Sequence, residues 1–92
     1  MLKDIRAFFD ARQVMEVETP ILSEFCTTDP HLHSFATRYQ NKAYYLNTSP
    51  EYAMKRLLVQ YRQPIFQICK SFRVDELGPF HNPEFTLLEW YR

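Results

Sequence analysis

Surplus charge of either sign is missing from this sequence. Eleven Lys and Arg residues stand against eleven Asp and Glu, for a formal net charge of 0. That balance removes the electrostatic footprint of a dedicated nucleic-acid binder, and with it any expectation of direct DNA contact. Cysteine is scarce too: Cys26 and Cys69 lie far apart, with no C-x-x-C spacing, so neither a redox pair nor a thiolate metal site is indicated. No signal-peptide pattern and no long apolar run is present, which leaves a cytoplasmic protein with reduced thiols and no membrane contact as the expectation. Cys69 falls in a strand-like stretch with no general base paired to it, and so reads as a structural thiol. His31 and His33 are close enough for a metal but no further ligand pattern follows them, so they read as loop residues and no metal ligand is assigned. Internal repeats and low-complexity segments are absent as well.

What is present is a chain built to pack. Hydrophobic residues make up 46% and aromatics 16% of the 92 residues, far from the composition of a disordered segment. This length bounds the answer to one domain with a modest core. Leu2, Ile5, Phe8 and Phe9 recur at helical spacing, with Lys3, Asp4, Arg6 and Asp10 left to water, so the spacing predicts an amphipathic helix over 2–13. Val14, Met15 and Val17 then lead into an extended segment that Pro20 ends. Residues 26–33 are turn-like and polar. Residues 35–39 and 43–46 read as two strands of a hairpin around Gln40 and Asn41.

Thr48, Ser49, Pro50 and Glu51 form a helix start that can be read two ways. Ser49 can be the N-cap with Pro50 at the first helical position, or Thr48 and Glu51 can form a capping box. The helix is expected to run to about Val59, with Tyr52, Met54, Leu57 and Leu58 serving the core. Pro64 opens a strand over 65–74, and a second strand covers 84–91. The intervening loop, 75–83, holds the only glycine, Gly78.

Because side chains alternate across a sheet, the first of these strands places Phe66, Ile68 and Phe72 on one side. Gln67, Cys69, Ser71 and Arg73 fall on the other. The second strand groups Phe85, Leu87, Glu89 and Tyr91 against Thr86, Leu88 and Trp90. Antiparallel pairing would then present Arg73, Phe85, Glu89 and Tyr91 on one face. A guanidinium suits phosphate, a ring suits a base, and a carboxylate with a phenol suits an ammonium group. On residue types alone, a solvated face of mixed polarity is the commoner outcome.

Three ordered stretches sharpen the reading. They are Val14 to Pro20, then Thr48-Ser49-Pro50-Glu51 with Lys55-Arg56-Leu57, then Phe72-Arg73-Val74-Asp75-Glu76 followed by His81-Asn82-Pro83-Glu84-Phe85-Thr86 and Glu89-Trp90-Tyr91. Together they resemble the catalytic domain of lysine-specific class II aminoacyl-tRNA synthetases, with motif 1 over about 1–22 and motif 2 over about 66–92. Ser-Pro-Glu-Tyr at 49–52 and Glu-Trp-Tyr-Arg at 89–92 look most like the ligases of that family that join (R)-β-lysine to elongation factor P. No room precedes the first helix for an anticodon-reading OB-fold, which favours a protein acceptor over tRNA; a lysyl-tRNA synthetase fragment and a non-catalytic nucleotide-binding paralogue are the alternatives.

The resemblance implies an α+β, partial class II synthetase fold: an antiparallel sheet with flanking helices, in a homodimer formed through motif 1. It implies ATP and Mg²⁺ as cofactors and lysine or (R)-β-lysine as substrate. In this pattern Arg73 would contact the α-phosphate and the carboxylate being activated, with Asp75, His81 and Asn82 also at ATP and Phe85 stacked on adenine. Ser49, Glu51, Glu89 and Tyr91 would surround the amino acid. Departures from the family pattern are Gln13 in place of a glycine, Val74 in place of a polar residue, and Asp75 in place of a longer Glu. Motif 3, with the magnesium-holding carboxylates, is not found up to Arg92, so the resemblance implies that residues 1–92 alone lack ligase activity.

Overall fold

The computed structural model describes residues 1–24, 34–74 and 82–92. Cys26, His31 and His33, and the site candidates Asp75 and His81, lie outside the described residues. The elements run α1 (Leu2–Ala11), β1 (Met15–Glu16), β2 (Leu22–Ser23), β3 (Ala36–Tyr39), β4 (Lys42–Leu46), α2 (Glu51–Tyr61), β5 (Ile65–Phe72) and β6 (Glu84–Tyr91). They form two three-stranded sheets, ordered β1-β5-β6 and β2-β4-β3. Mixed α+β architecture is thus observed, and every pair but one is antiparallel: β1 runs parallel to β5, with Met15 opposite Ile65 and Glu16 opposite Phe66.

The apolar stripe of α1 explains its docking. Phe9 is buried and packs with Val14 and Phe66, while Ile5, Ile68 and Leu88 close around them. The Phe9 ring stacks on Phe66 at 4.3 Å between centroids and meets Trp90 at 5.9 Å. This is the face of the β5–β6 sheet that carries Phe66 and Ile68, as the alternation predicts. The helix ends at Ala11, two residues earlier than its spacing suggests, because Gln13 turns left-handed with φ of 59°. Its neighbour Val14 bonds back to the Phe9 carbonyl at 3.0 Å. That geometry accounts for the family's glycine at this position: a side chain there crowds the backbone.

The hairpin forms around Gln40 and Asn41, at φ of 51° and 65°. Two consecutive positive values match the twist that a two-residue hairpin connection needs. Helix α2 begins at Glu51, one residue after Pro50, and runs to Tyr61, two residues beyond its expected end near Val59. Pro50, not Ser49, is the flanking residue at its start. Ser49 Oγ nonetheless accepts the Glu51 N–H at 3.4 Å, so the hydroxyl is part of the turn that opens the helix. The capping-box alternative does not form: the Glu51 carboxylate points along the helix to Lys55 at 2.8 Å instead. Met54 is fully buried and Leu57 and Leu58 half-buried, but Tyr52 is exposed, so it does not serve the core.

Candidate active site

Antiparallel pairing of β5 and β6 sets Ser71 opposite Phe85, Cys69 opposite Leu87, Gln67 opposite Glu89 and Ile65 opposite Tyr91. Directly opposed residues share a face. The ladder continues past Phe72, because the Arg73 N–H bonds to the Pro83 carbonyl at 3.0 Å. Arg73, Phe85, Glu89 and Tyr91 therefore lie on the face away from α1, as the alternation requires.

They occupy two poles of that face. At one end the Arg73 guanidinium lies 5.2 Å from the Phe85 ring centroid, within cation–π range. Phe85 is half-buried, so it is neither plain core nor fully solvated, while Arg73 is exposed. Asn82 sits beside this pole with its side-chain oxygen accepting the Glu84 N–H at 3.1 Å, a local turn that sets where β6 begins. At the other end the Tyr91 hydroxyl donates to Glu89 at 2.6 Å. Glu89 is four steps along the strand from Phe85, roughly 13 Å at about 3.3 Å per residue.

Helix α2 completes the second pole. Lys55 Nζ is 2.8 Å from Glu51 and 5.9 Å from the centroid of the Tyr91 ring. Burial, then the hydrogen bond to Glu89, then the charges of Glu89 and Glu51 hold the Tyr91 phenol well above its ordinary value. The phenol therefore stays protonated as a donor near neutral pH. The hydrogen bond to Glu51, then its charge, raises the Lys55 ammonium, with a smaller contribution from Glu89. Two carboxylates, a phenol and a cation thus gather at one end, and Ser49 stands next to them in the opening turn of α2.

Asn47 brings α2 to this face, a role its sequence context does not signal. Its carbonyl accepts the Phe72 N–H at 2.8 Å, its own N–H bonds to Ile21 at 2.7 Å, and its amide donates to the Lys70 carbonyl at 3.1 Å and Ser71 Oγ at 3.3 Å. Through its backbone and side chain together, this one residue joins β5 to the segment that precedes β2, immediately before the helix. Gln67, buried on the same face, clamps Thr19 twice, accepting its N–H at 3.1 Å and donating to its hydroxyl at 2.9 Å. Cys69 is buried, and burial pushes its thiol up, which agrees with a structural rather than nucleophilic thiol.

A cleft of about 710 Å³ lies between α2 and the β2–β4 side of the molecule, and its walls include Pro20, Leu46, Ser49, Tyr52, Lys55 and Val59. It borders the second pole through Ser49 and Lys55 but contains neither Arg73 nor Phe85, and its lining offers no carboxylate. The carboxylates of the second pole therefore stand beside this cleft rather than in it. Among the described residues no three His, Cys, Asp or Glu side chains converge as a metal ion needs, so no magnesium ligand is assigned.

All of residues 1–92 match the family model for class II tRNA synthetases of the D, K and N type. The chain belongs to the class II tRNA synthetases. Its curated relatives include proteins named elongation factor P–(R)-β-lysine ligase, from Pseudoalteromonas translucida at 58% identity, Haemophilus influenzae at 55% and Photobacterium profundum at 52%. Each match covers 100% of this chain and 30% of the relative. The chain thus spans about a third of the length of these class II relatives, the part that carries α1, the hairpin and the paired strands β5 and β6. No helix among the described residues is long and apolar enough to cross a membrane.

Proposed function

We propose that this chain supplies the motif 1 and motif 2 part of an ATP-dependent ligase that activates (R)-β-lysine, or lysine, and transfers it to a lysine of elongation factor P. One observation carries the proposal: a guanidinium with a ring stands at one end of a sheet face and a carboxylate–phenol pair, Glu89 with Tyr91, at the other. An aminoacyl-adenylate has that shape, with its base and phosphate at one end and its amine at the other. Neither a bare nucleotide site nor a bare amine site needs both poles in line.

In the first step a carboxylate oxygen of the amino acid attacks the α-phosphorus. The bond from that phosphorus to the β-bridging oxygen breaks, and pyrophosphate leaves with the electron pair. Arg73 stabilises the charge that grows on the phosphoryl oxygens, which is positioning and electrostatics rather than covalent catalysis. Phe85 offers its ring to adenine once Arg73 moves from it toward phosphate, and Asn82, Asp75 and His81 also serve ATP. Glu51, Glu89, Tyr91 and Ser49 hold the amine end. In the second step an acceptor amine attacks the carbonyl carbon, AMP leaves, and the nitrogen loses a proton to solvent. Magnesium, when bound, would neutralise phosphate charge in this chemistry. The protein works as a cytoplasmic homodimer joined through the α1 side of the molecule.

Calorimetric titration with ATP tests the first pole directly. The chain should bind ATP, and Arg73→Ala should weaken binding about tenfold, the scale of one charge-assisted contact of about 1.4 kcal/mol. Unchanged affinity in Arg73→Ala would remove Arg73 from the phosphate site.

A further inference from the structure

The second pole already holds an ammonium group on an alkyl stem. It belongs to the protein. Lys55 Nζ sits 2.8 Å from the Glu51 carboxylate, and 5.9 Å from the ring of Tyr91, whose hydroxyl is bound to Glu89 at 2.6 Å. This reading rests on the assignment of that pole to the substrate amine. We infer that Lys55 is a stand-in for the substrate: its side chain fills the amine site of the free protein and must swing out before a lysine-like ligand can enter.

Three features support a displaceable occupant over a fixed structural pair. Lys55 and Glu51 are four residues apart on one helix, with side chains 52% and 45% exposed, and such pairs are weak and open to exchange. Opening onto the neighbouring cleft, which Lys55 itself borders, gives the side chain somewhere to go without unfolding α2. The phenol and the Glu89 carboxylate, by contrast, are half-buried on a strand and stay in place. A rigid half and a movable half thus face each other across one site. The consequence is a filter. An incoming amine must compete with a tethered ammonium, so a ligand that engages only Glu51 gains little, and one that also reaches Glu89 and Tyr91 prevails. Lys55 is a specificity-determining residue in this scheme, not a catalytic one.

The experiment titrates the 92-residue chain with pentane-1,5-diamine, which carries the ammonium and stem without a carboxylate, following the Tyr91 ring resonances by NMR. Lys55→Met, which keeps the stem and removes the charge, should bind the diamine three- to tenfold tighter than the parent chain. Lys55→Arg should remain near the parent, and ATP affinity should not change in either. Diamine binding in Lys55→Met that is equal to the parent, weaker, or undetectable overturns the stand-in role. Glu89→Gln separates the two ideas. If Lys55→Met has no effect while Glu89→Gln still weakens diamine binding, the amine site survives and only the stand-in fails. If Glu89→Gln also has no effect, the amine site itself is wrong.

Discussion

At the scale of single residues, the backbone explains one departure from the family pattern and offers a test of it. Gln13 is held at φ of 59°, where a β-carbon crowds the following carbonyl at a cost of roughly 1–2 kcal/mol. A glycine relieves that crowding but enters folding from a freer unfolded chain, which returns part of the gain. Gln13→Gly should therefore raise stability by about 0.5–1 kcal/mol, read as a higher urea midpoint at constant slope. A lower midpoint would mean that the Gln13 side chain makes a contact worth more than the strain. Arg73 and Tyr91 illustrate a different point, since their placement on one face follows from alternation, whereas their partners do not. That Arg73 rests on Phe85 and Tyr91 on Glu89 depends on which side chains the register brings within reach.

At the scale of elements, periodicity made α1, the hairpin, β5 and β6 readable, because each is long enough to show its repeat. The two-residue strands β1 and β2 have no repeat to show, so the parallel pairing of β1 with β5 and the seam between the sheets were hidden. Asn47 and Gln67 hold those seams through contacts 23 to 48 residues apart in sequence, and no local pattern marks them. Lys55 was invisible for a related reason: its position in the site depends on how α2 lies across β6. The Gln67 clamp is the most exposed to testing. Gln67 is buried and satisfies both the N–H and the hydroxyl of Thr19. Gln67→Leu leaves those two groups without their partner in a half-buried place, which should cost about 2 kcal/mol. Thr19→Val removes only the hydroxyl bond and should cost less, near 1 kcal/mol. Urea denaturation of both variants checks the order; a harmless Gln67→Leu would show that water replaces the clamp.

At the scale of the whole molecule, the α1 side of the sheet leaves two large aromatic side chains half in water. Phe8 is 49% exposed and Trp90 52% exposed, and together with Ile5, Phe9 and Leu88 they border a shallow apolar hollow of about 400 Å³. Charged groups stand beside it: Asp4 borders the hollow and Arg12 lies over the Phe8 ring at 3.6 Å. An apolar centre with a polar rim is the anatomy of a protein interface, and it coincides with the motif 1 region through which the homodimer is proposed. Self-association should therefore depend on concentration and on this face. In sedimentation velocity Phe8→Lys should weaken the dimer at least tenfold, since truncating or charging a central aromatic contact costs more than about 1.4 kcal/mol. The same change placed at Val59, exposed on the outer side of α2, should leave the dimer intact. Equal loss at both positions would point to unspecific clustering, and loss at Val59 alone would move the interface to the cleft beside α2.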